Sequence, residues 1–299
     1  MKPLGRISQL FCQSWGEKTR TAAARKALET LIASSSRSDI PVNVEAAARY
    51  LGIEHILRDK LNDYDGALSE TSTGRYVATV RSDQSHVRQR FTLAHEVGHA
   101  IVFRSLAGSL PSTRAPNQCR DGTPDERDEE RLCDLLASEL LMPRVRFIEV
   151  MDRVGVSAAQ IPEIARKFEV SLQACCRKMV QLLPYDIGLG LWTKHEERAH
   201  IVPKWYLNKR GAISLEHVIE AGRAGSECFT DQAVRGWQWI PLYGQMDKYY
   251  VDVSPMSTRS GRTWIVLIVF GDSAAHIMAT ISKGRASGLT QLPLLGGDP

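Results

Sequence analysis

The stretch from residue 91 to residue 102 reads Phe91-Thr92-Leu93-Ala94-His95-Glu96-Val97-Gly98-His99-Ala100-Ile101-Val102. Its apolar residues recur at helical spacing, which predicts a helix over about Ser85 to Val102. On a helix, an H-E-x-x-H run places its two imidazoles one turn apart on one face, where both can bind one zinc ion. The glutamate beside them is then placed to take a proton from a water molecule on the zinc. Such a run arises by chance in roughly one chain of this length in a hundred, so the surrounding sequence has to decide.

A second helix is predicted from Thr123 to about Leu141. Thr123-Pro124-Asp125-Glu126 supplies a capping threonine, a first-turn proline and a glutamate three residues after the cap. A catalytic zinc usually takes three protein ligands and leaves its fourth position for water, so the two histidines need one further ligand. Glu130 begins a stripe of this helix at spacings of three, four, seven and eleven residues: Cys133, Asp134, Ala137 and Leu141.

Glu130 and Asp134 are two carboxylates on this otherwise apolar stripe, and burying them is costly without a metal or a hydrogen-bond partner. We therefore expect Glu130 to be the third zinc ligand. We expect Asp134 to accept a hydrogen bond from the second ring nitrogen of a ligand histidine and so to orient it. The alternative is a solvated face, as expected for the other carboxylates of this helix start: Asp125, Glu126, Asp128 and Glu129. With the zinc ligands in place, Glu96 takes the proton of the attacking water and hands it to the leaving amine.

Length and composition are those of an ordinary globular protein. The chain has 299 residues, 43% of them hydrophobic and 24% charged, with a formal net charge of +4. That length predicts two or three domains, and the mild charge permits nucleic-acid contact without arguing for it. No apolar stretch approaches the length of a membrane span, and Met1 to Ser14 lacks the apolar core of a signal peptide, so we expect a cytoplasmic protein with no membrane partner. Its six cysteines are scattered and are expected to be free thiols.

Three regions differ in their patterns. Residues 1–143 predict helices, a long loop at residues 105–122 and a hairpin with its turn at Gly74; the elements before the first site helix are Thr21 to Ser34, Glu45 to Leu51 and Thr73 to Val80. Residues 144–184 predict three short helices. Residues 185–299 carry apolar and aromatic strands with one helix-like stretch, Leu215 to Ala224, and are expected to form a separate α+β domain.

The sequence around both halves of the predicted site resembles the ImmA/IrrE family of metallopeptidases. The resemblance rests on Arg90 to His99, on Ala137-Ser138-Glu139-Leu140-Leu141-Met142-Pro143, and on the lead-in from Pro41 to Ile53. It covers roughly residues 20 to 183. In that family, the two motif histidines and a glutamate thirteen residues before the Met-Pro proline bind zinc, and that position is Glu130 here. The chain departs from the commoner pattern at Asp134, where Asn is frequent, and at Leu132 and Leu136.

The resemblance implies the architecture and the activity. It implies an α+β fold with a mainly helical, zincin-like peptidase domain and a small sheet at residues 1–143. A helix-turn-helix-like segment would follow at 144–184, and a GAF-like sensor domain at 185–299. Family members cleave a helix-turn-helix transcriptional repressor, often after DNA damage or during mobile-element induction. A closer likeness is to the repressor-cleaving peptidases encoded with bacterial CBASS anti-phage operons, which respond to single-stranded DNA.

Cys119 lies in the long loop between His99 and Glu130. In the CBASS-associated peptidases, a loop cysteine can occupy the fourth zinc position and hold the enzyme inactive. Cys119 is therefore a candidate switch ligand, because a loop thiolate could reach the metal and displace its water. The alternative is an ordinary surface cysteine in a reducing cytosol.

Two further segments are candidates for contact with nucleic acid. Residues 161–171 read like the first helix and turn of a helix-turn-helix, but the following helix offers few polar side chains, so packing against the peptidase or docking of the repressor is favoured over reading DNA. A second segment interleaves aromatic and basic residues, a mix that suits single-stranded nucleic acid: Lys204, Trp205, Tyr206, Lys209 and Arg210. For this segment, a strand edge with solvated lysines is the favoured alternative.

The sequence thus predicts a zinc endopeptidase, with one zinc ion per chain, that cleaves a helix-turn-helix repressor on a signal such as single-stranded DNA. The alternative is a non-proteolytic regulator that binds the repressor or DNA and uses zinc for structure. An intact Glu96 and an open fourth zinc position favour the enzyme. The scissile bond, the activating ligand, the oxyanion-stabilising residue and the oligomeric state do not follow from the sequence.

Overall fold

The computed structural model describes residues 4–32, 40–107, 123–184, 186–194, 201–208, 231–242, 245–258 and 261–269. The chain divides into two compact units. Among the described residues, the first unit contains those up to Arg146 together with Lys167–Val170, and the second contains Phe147–Arg166 and those from Ser171 onward. The boundaries expected at residues 143 and 184 stay predictions.

The first unit combines helices with a small sheet. Its elements are α1 (Arg6–Trp15), α2 (Arg20–Ile32), α3 (Val44–Tyr50), β1 (Ile53–Asp59), β2 (Gly66–Glu70), β3 (Tyr76–Arg81), α4 (His86–Ser105) and α5 (Pro124–Leu141). The sheet has the order β1-β3-β2, with β1 parallel and β2 antiparallel to β3. Gly74 has a φ of +73° in the turn of the predicted hairpin, a conformation that suits glycine. Within the described residues, β2 is an edge strand that pairs with β3 alone.

Local capping signals account for the starts of α4 and α5. Ser85 precedes α4, and its hydroxyl accepts a hydrogen bond from the Arg88 N–H. Thr123 precedes α5 in a complete capping box: its Oγ1 accepts from the Glu126 N–H, and the Glu126 carboxylate accepts from the Thr123 N–H. These bonds satisfy N–H groups that have no partner within a helix. Both predicted helices are confirmed, with α4 running three residues further than expected.

Gly98 sets how closely α4 and α5 approach each other. A Cβ added at Gly98 would lie 3.1 Å from both the Cα and the carbonyl oxygen of Cys133, and 3.2 Å from its Cβ. The two backbones are therefore in near contact at this point. The glycine inside H-E-x-x-H is a packing requirement that brings the ligand-bearing faces of α4 and α5 together.

We expect Gly98→Ala to destabilise the protein. Alanine favours helix by about 1 kcal/mol over glycine, but overpacking against a backbone that cannot move aside typically costs about 1–3 kcal/mol, so the balance lies with destabilisation. Thermal unfolding of the metal-free protein measures the effect. A melting temperature equal to or above that of the unaltered chain would contradict the close approach.

The second unit is dominated by a five-stranded sheet. Three helices contribute to it: α6 (Arg144–Val154), α7 (Ile161–Phe168) and α8 (Leu172–Leu182), of which α6 and α7 each have some residues in the first unit. Its strands are β4 (Ile187–Lys194), β5 (Ile201–Asn208), β6 (Val234–Leu242), β7 (Gln245–Thr258) and β8 (Gly261–Val269). The order is β5-β4-β8-β7-β6, with all pairs antiparallel. Helix α8 packs against β4 and β5. The three short helices and the presence of strands after residue 185 were expected from the sequence, whereas the predicted helix Leu215 to Ala224 lies outside the described residues.

The turn of the helix-turn-helix-like segment belongs to the first unit. Glu169 lies in it with a φ of +50°, a conformation that non-glycine residues seldom adopt. Its carboxylate is 3.2 Å from Nε of Arg90, a largely buried residue of α4. Arg90 also donates a hydrogen bond to the Val42 carbonyl. This ion pair supports the expectation that the turn packs against the peptidase.

The expected mixed α+β class is confirmed. Helix α1 is an addition that the sequence pattern did not predict, and its buried face holds Ile7, Ser8, Phe11 and Cys12. No helix in the described ranges combines the length and the apolar content that crossing a membrane requires.

Candidate metal centre

Three side chains from α4 and α5 meet in one group. The ligand atoms that His95, His99 and Glu130 can offer all lie within 4.8 Å of one another, and this is the only such group among the residues that the structure describes. His95 and His99 follow each other by one turn of α4, with their ring centroids 4.9 Å apart. Glu130 comes from the second turn of α5. The structure thus brings together the three residues that the sequence proposed as ligands.

Both imidazoles direct Nε2 towards Glu130. His95 Nε2 is 3.0 Å from Glu130 Oε2, and His99 Nε2 is 3.5 Å from Glu130 Oε1. Each Nδ1 has a separate carboxylate: Asp134 Oδ1 is 3.0 Å from Nδ1 of His95, and Glu129 Oε1 is 3.1 Å from Nδ1 of His99. When each Nδ1–H donates to its carboxylate, both Nε2 lone pairs are left for a metal ion.

Glu129 and Asp128 correct the expectation that these carboxylates are solvated. Glu129 is 1% exposed and Asp128 is 6% exposed. Glu129 precedes the buried Leu132 and Cys133 by three and four residues, so it lies on the buried face of α5. Asp128 accepts hydrogen bonds from Ser8 in α1. The helical spacing that points to Glu130 also places Glu129 on a stripe with apolar residues, but its position in a run of acidic residues favours the interpretation that it is solvated.

The carboxylates determine the protonation of the metal-free site. Burial lowers the pKa of His95, but hydrogen bonds to Asp134 and Glu130 outweigh it and raise the value to about 9. Burial also opposes the charged form of His99, yet Cys133, Glu129 and Glu130 together hold its pKa well above the ordinary value. Burial alone would raise the pKa of Glu130, but the two histidines lower it. Burial raises the pKa of the Cys133 thiol to about 12, so this cysteine stays protonated.

Glu96 lies beside this group and faces the edge strand of the sheet. Its side chain is 4% exposed, and burial raises its pKa although the neighbouring histidines act in the opposite direction. A Cβ added at Gly66, the first residue of β2, would clash with Thr92 and lie 2.7 Å from Glu96 Oε1. Only a glycine allows β2 to pass this close to the Glu96 carboxylate. The start of β2, which is an edge strand among the described residues, therefore lies next to Glu96.

The structure describes some of the remaining candidate residues and not others. Cys119, Lys209 and Arg210 lie outside the described residues. Lys204 is exposed on β5, whereas Trp205 and Tyr206 are partly buried. Tyr206 occupies the space that a side chain at Gly188 of β4 would need. The nucleic-acid assignment of this segment stays a prediction.

Comparison with known proteins gives one matching family model and several similar proteins. The family model Peptidase_M78, described as an IrrE N-terminal-like domain, matches residues 48–180. The radiation response metalloprotease IrrE of Deinococcus radiodurans is 32% identical over 111 residues, which are 37% of this chain and 33% of the relative. The protein of the same name from Deinococcus deserti is 33% identical over 96 residues, which are 32% of this chain and 33% of the relative. The chain thus matches about a third of the length of these relatives.

A solved structure is similar over most of the chain. It is a Mycobacterium tuberculosis transcriptional regulator, with a TM-score of 0.51 and 12% identity, and the similarity covers 96% of this chain and 85% of that one. At this identity the likeness concerns the fold alone. The residues that match the family model include α4, α5 and the whole group of His95, Glu96, His99 and Glu130. Residues 48–180 thus match the IrrE N-terminal-like domain, the part of the chain for which the sequence resembles the ImmA/IrrE family.

Proposed function

We propose that the chain is a zinc-dependent endopeptidase that cleaves a helix-turn-helix transcriptional repressor and thereby relieves repression. One observation carries the proposal: the Nε2 atoms of two histidines face one glutamate, while a second, buried glutamate lies beside them next to β2, the edge strand within the described part of the chain. The relatives in Deinococcus are named as metalloproteases, which supports the same reaction class.

The donor set fits zinc. Two imidazole nitrogens and one carboxylate oxygen are ligands that catalytic zinc takes, and they leave a fourth position free. We propose His95, His99 and Glu130 as the ligands of one ion per chain, with Asp134 and Glu129 orienting the two histidines. Zinc held there supplies Lewis acidity, which polarises a peptide carbonyl and makes water more acidic.

Glu96 does the proton transfer in this proposal. Its carboxylate takes a proton from the attacking water, and the burial that raises its pKa helps it to hold that proton. It then gives the proton to the amide nitrogen that leaves. Because Glu96 is 4% exposed, bulk water competes little for this proton.

The edge of β2 supplies a place for an extended substrate. An edge strand presents N–H and C=O groups that can pair with an added peptide strand. A peptide paired with β2 would pass next to Glu96, because Gly66 lies against that side chain. We propose that a flexible segment of the repressor binds in this way.

Regulation is proposed for the remainder of the chain. The antiparallel sheet of β4–β8 with α8 against it is compatible with a GAF-like sensor domain. The name of the Deinococcus relatives, radiation response metalloprotease, supports a signal linked to DNA damage. We propose single-stranded DNA as that signal, a role in phage defence as the setting, and Cys119 as a fourth ligand that keeps the resting site closed.

The test combines the purified zinc-loaded protein with the helix-turn-helix repressor encoded beside it, with and without single-stranded DNA. We expect one discrete cut that a chelator abolishes and that DNA accelerates. A cut that DNA does not accelerate would remove the proposed signal and leave the peptidase. No cut in any condition, with zinc bound, would contradict the peptidase and favour a non-proteolytic regulator with a structural zinc.

Glu129→Gln tests the residue that the sequence did not single out. We expect zinc affinity to fall about 10–100-fold, because the amide is a weaker acceptor for Nδ1–H of His99 and leaves the imidazole less well oriented. Competition with a chromophoric chelator measures the affinity. Glu126→Gln, on the preceding turn of α5 and away from the histidines, is the control. Equal affinities for Glu129→Gln and the control would remove Glu129 from the metal centre.

A further inference from the structure

Helix α1 is buried against the two helices that carry the site. Its inner face holds Ile7, Ser8 and Phe11, all at most 1% exposed. It packs against α2 and α5 and also touches α4. None of the proposed metal ligands or catalytic residues lies on α1. Its contacts with α4 and α5 therefore indicate its role.

The start of α1 is capped by a carboxylate from α5. Gly5, the residue at the cap position, makes no side-chain cap bond. Instead, Asp128 Oδ2 accepts from the Ser8 backbone N–H at 2.7 Å, and Asp128 Oδ1 accepts from the Ser8 hydroxyl at 2.8 Å. A carboxylate at a helix N-terminus is stabilised by the N–H groups and the helix dipole. A Cβ at position 5 would clash with this carboxylate, which explains the glycine.

The end of α1 is bonded to α4. Trp15 Nε1 donates a hydrogen bond to Ser105 Oγ at 3.1 Å. Ser105 is the last residue of α4, less than two turns beyond His99. The main chain after Trp15 is held in turn by Lys26 of α2, whose Nζ donates to the Trp15 carbonyl at 2.7 Å.

These contacts link the C-terminal end of α4 to the N-terminal part of α5. Residues 106–123 connect α4 to α5 along the chain, and α1 connects the same two ends through space. Ser8 and Trp15 are roughly 10 Å apart along the α1 axis, which is about the distance between the axes of two packed helices. Asp128 is followed directly by Glu129 and Glu130, so a shift of this turn of α5 would move the metal ligand and the carboxylate that orients His99.

We infer that α1 is a brace that fixes the position of the metal-binding turn of α5 relative to α4, with Ser8, Trp15 and Asp128 as positioning residues. The brace rests on the proposed metal site for its function. It predicts that the geometry of the site depends on two side-chain hydrogen bonds made by a helix that contributes no ligand.

The test uses the double variant Ser8→Ala/Trp15→Phe, which removes both side-chain bonds, leaves the Ser8 backbone bond to Asp128 and keeps an aromatic ring at the partly buried position 15. Ser14→Ala is the control, since Ser14 is an exposed residue of α1 whose hydroxyl donates a hydrogen bond to the Phe11 carbonyl within the same helix. Ile53→Val, in the core of the same unit, controls for a general loss of stability. Zinc affinity and the visible spectrum of the Co²⁺-substituted protein are measured well below the melting temperatures.

We expect the double variant to bind zinc about ten-fold more weakly and to show an altered Co²⁺ spectrum, with both controls unchanged. Superimposable Co²⁺ spectra and equal affinities would overturn the brace. If the unaltered chain binds neither metal, the proposed function fails, and hydrogen exchange in the metal-free protein decides the brace separately. Faster exchange at residues 100–105 and 128–133 in the double variant would support it, and unchanged exchange would overturn it.

Discussion

Glu96→Gln is expected to keep its zinc and to lose peptidase activity by about 10²–10⁴-fold, the range that a positioned general base contributes. Glutamine has nearly the same shape, so the buried pocket beside Gly66 and Thr92 stays filled. The amide cannot take the proton from water. Because Glu96 is not among the three grouped ligands, the metal should remain bound.

Zinc content and kcat/KM for repressor cleavage measure the two halves of this prediction. Glu45→Gln, a half-exposed residue of α3, is the control and should behave as the unaltered chain. Full activity in Glu96→Gln would remove Glu96 from the chemistry. Loss of zinc in the same variant would instead make Glu96 part of the metal centre itself.

Glu130→Ala is expected to lower zinc affinity by more than about 100-fold, since loss of an outer hydrogen-bond partner alone costs about 10–100-fold. Glu130 is the group that the Nε2 atoms of His95 and His99 both face, so its removal leaves two ligands. Activity should disappear with the metal.

Chelator competition measures the affinity, and Arg131→Ala is the matched control because it removes an exposed charged side chain from the next position of α5. An affinity for Glu130→Ala within a few-fold of the control would show that another residue completes the site. Partial recovery of activity at high zinc concentration is expected only if the two histidines still hold the ion.

The two site helices could be predicted because their signals are local. The Thr123–Glu126 capping box and the Ser85 cap lie within a few residues of the helix starts that they define. The H-E-x-x-H spacing fixes a shared face for His95 and His99, and the stripe on α5 identifies Glu130. Periodicity accounts for the placement of these three residues. The expected burial of the two carboxylates is wrong, because the side chain of Glu130 is 40% exposed and that of Asp134 is 59% exposed.

Helix α1 and the roles of Asp128 and Glu129 could not be read in the same way. The cap of α1 comes from a residue 120 positions further along the chain, so its own sequence carries no start signal. The role of Glu129 depends on its hydrogen bond with His99, and this bond requires the tertiary packing of α4 against α5 at Gly98. The parallel pairing of β1 with β3 likewise depends on tertiary contacts.

The central claim is that His95, Glu96, His99 and Glu130 form a zinc peptidase site, and intact mass spectrometry of the repressor tests it most directly. The repressor is incubated with the zinc-loaded chain and, in parallel, with zinc-loaded Glu96→Gln. The account predicts two fragments whose masses sum to that of the repressor plus one water molecule, formed by the unaltered chain and not by the variant. An intact repressor with the unaltered, zinc-loaded chain under every activating condition, or the same fragments with Glu96→Gln, would contradict it.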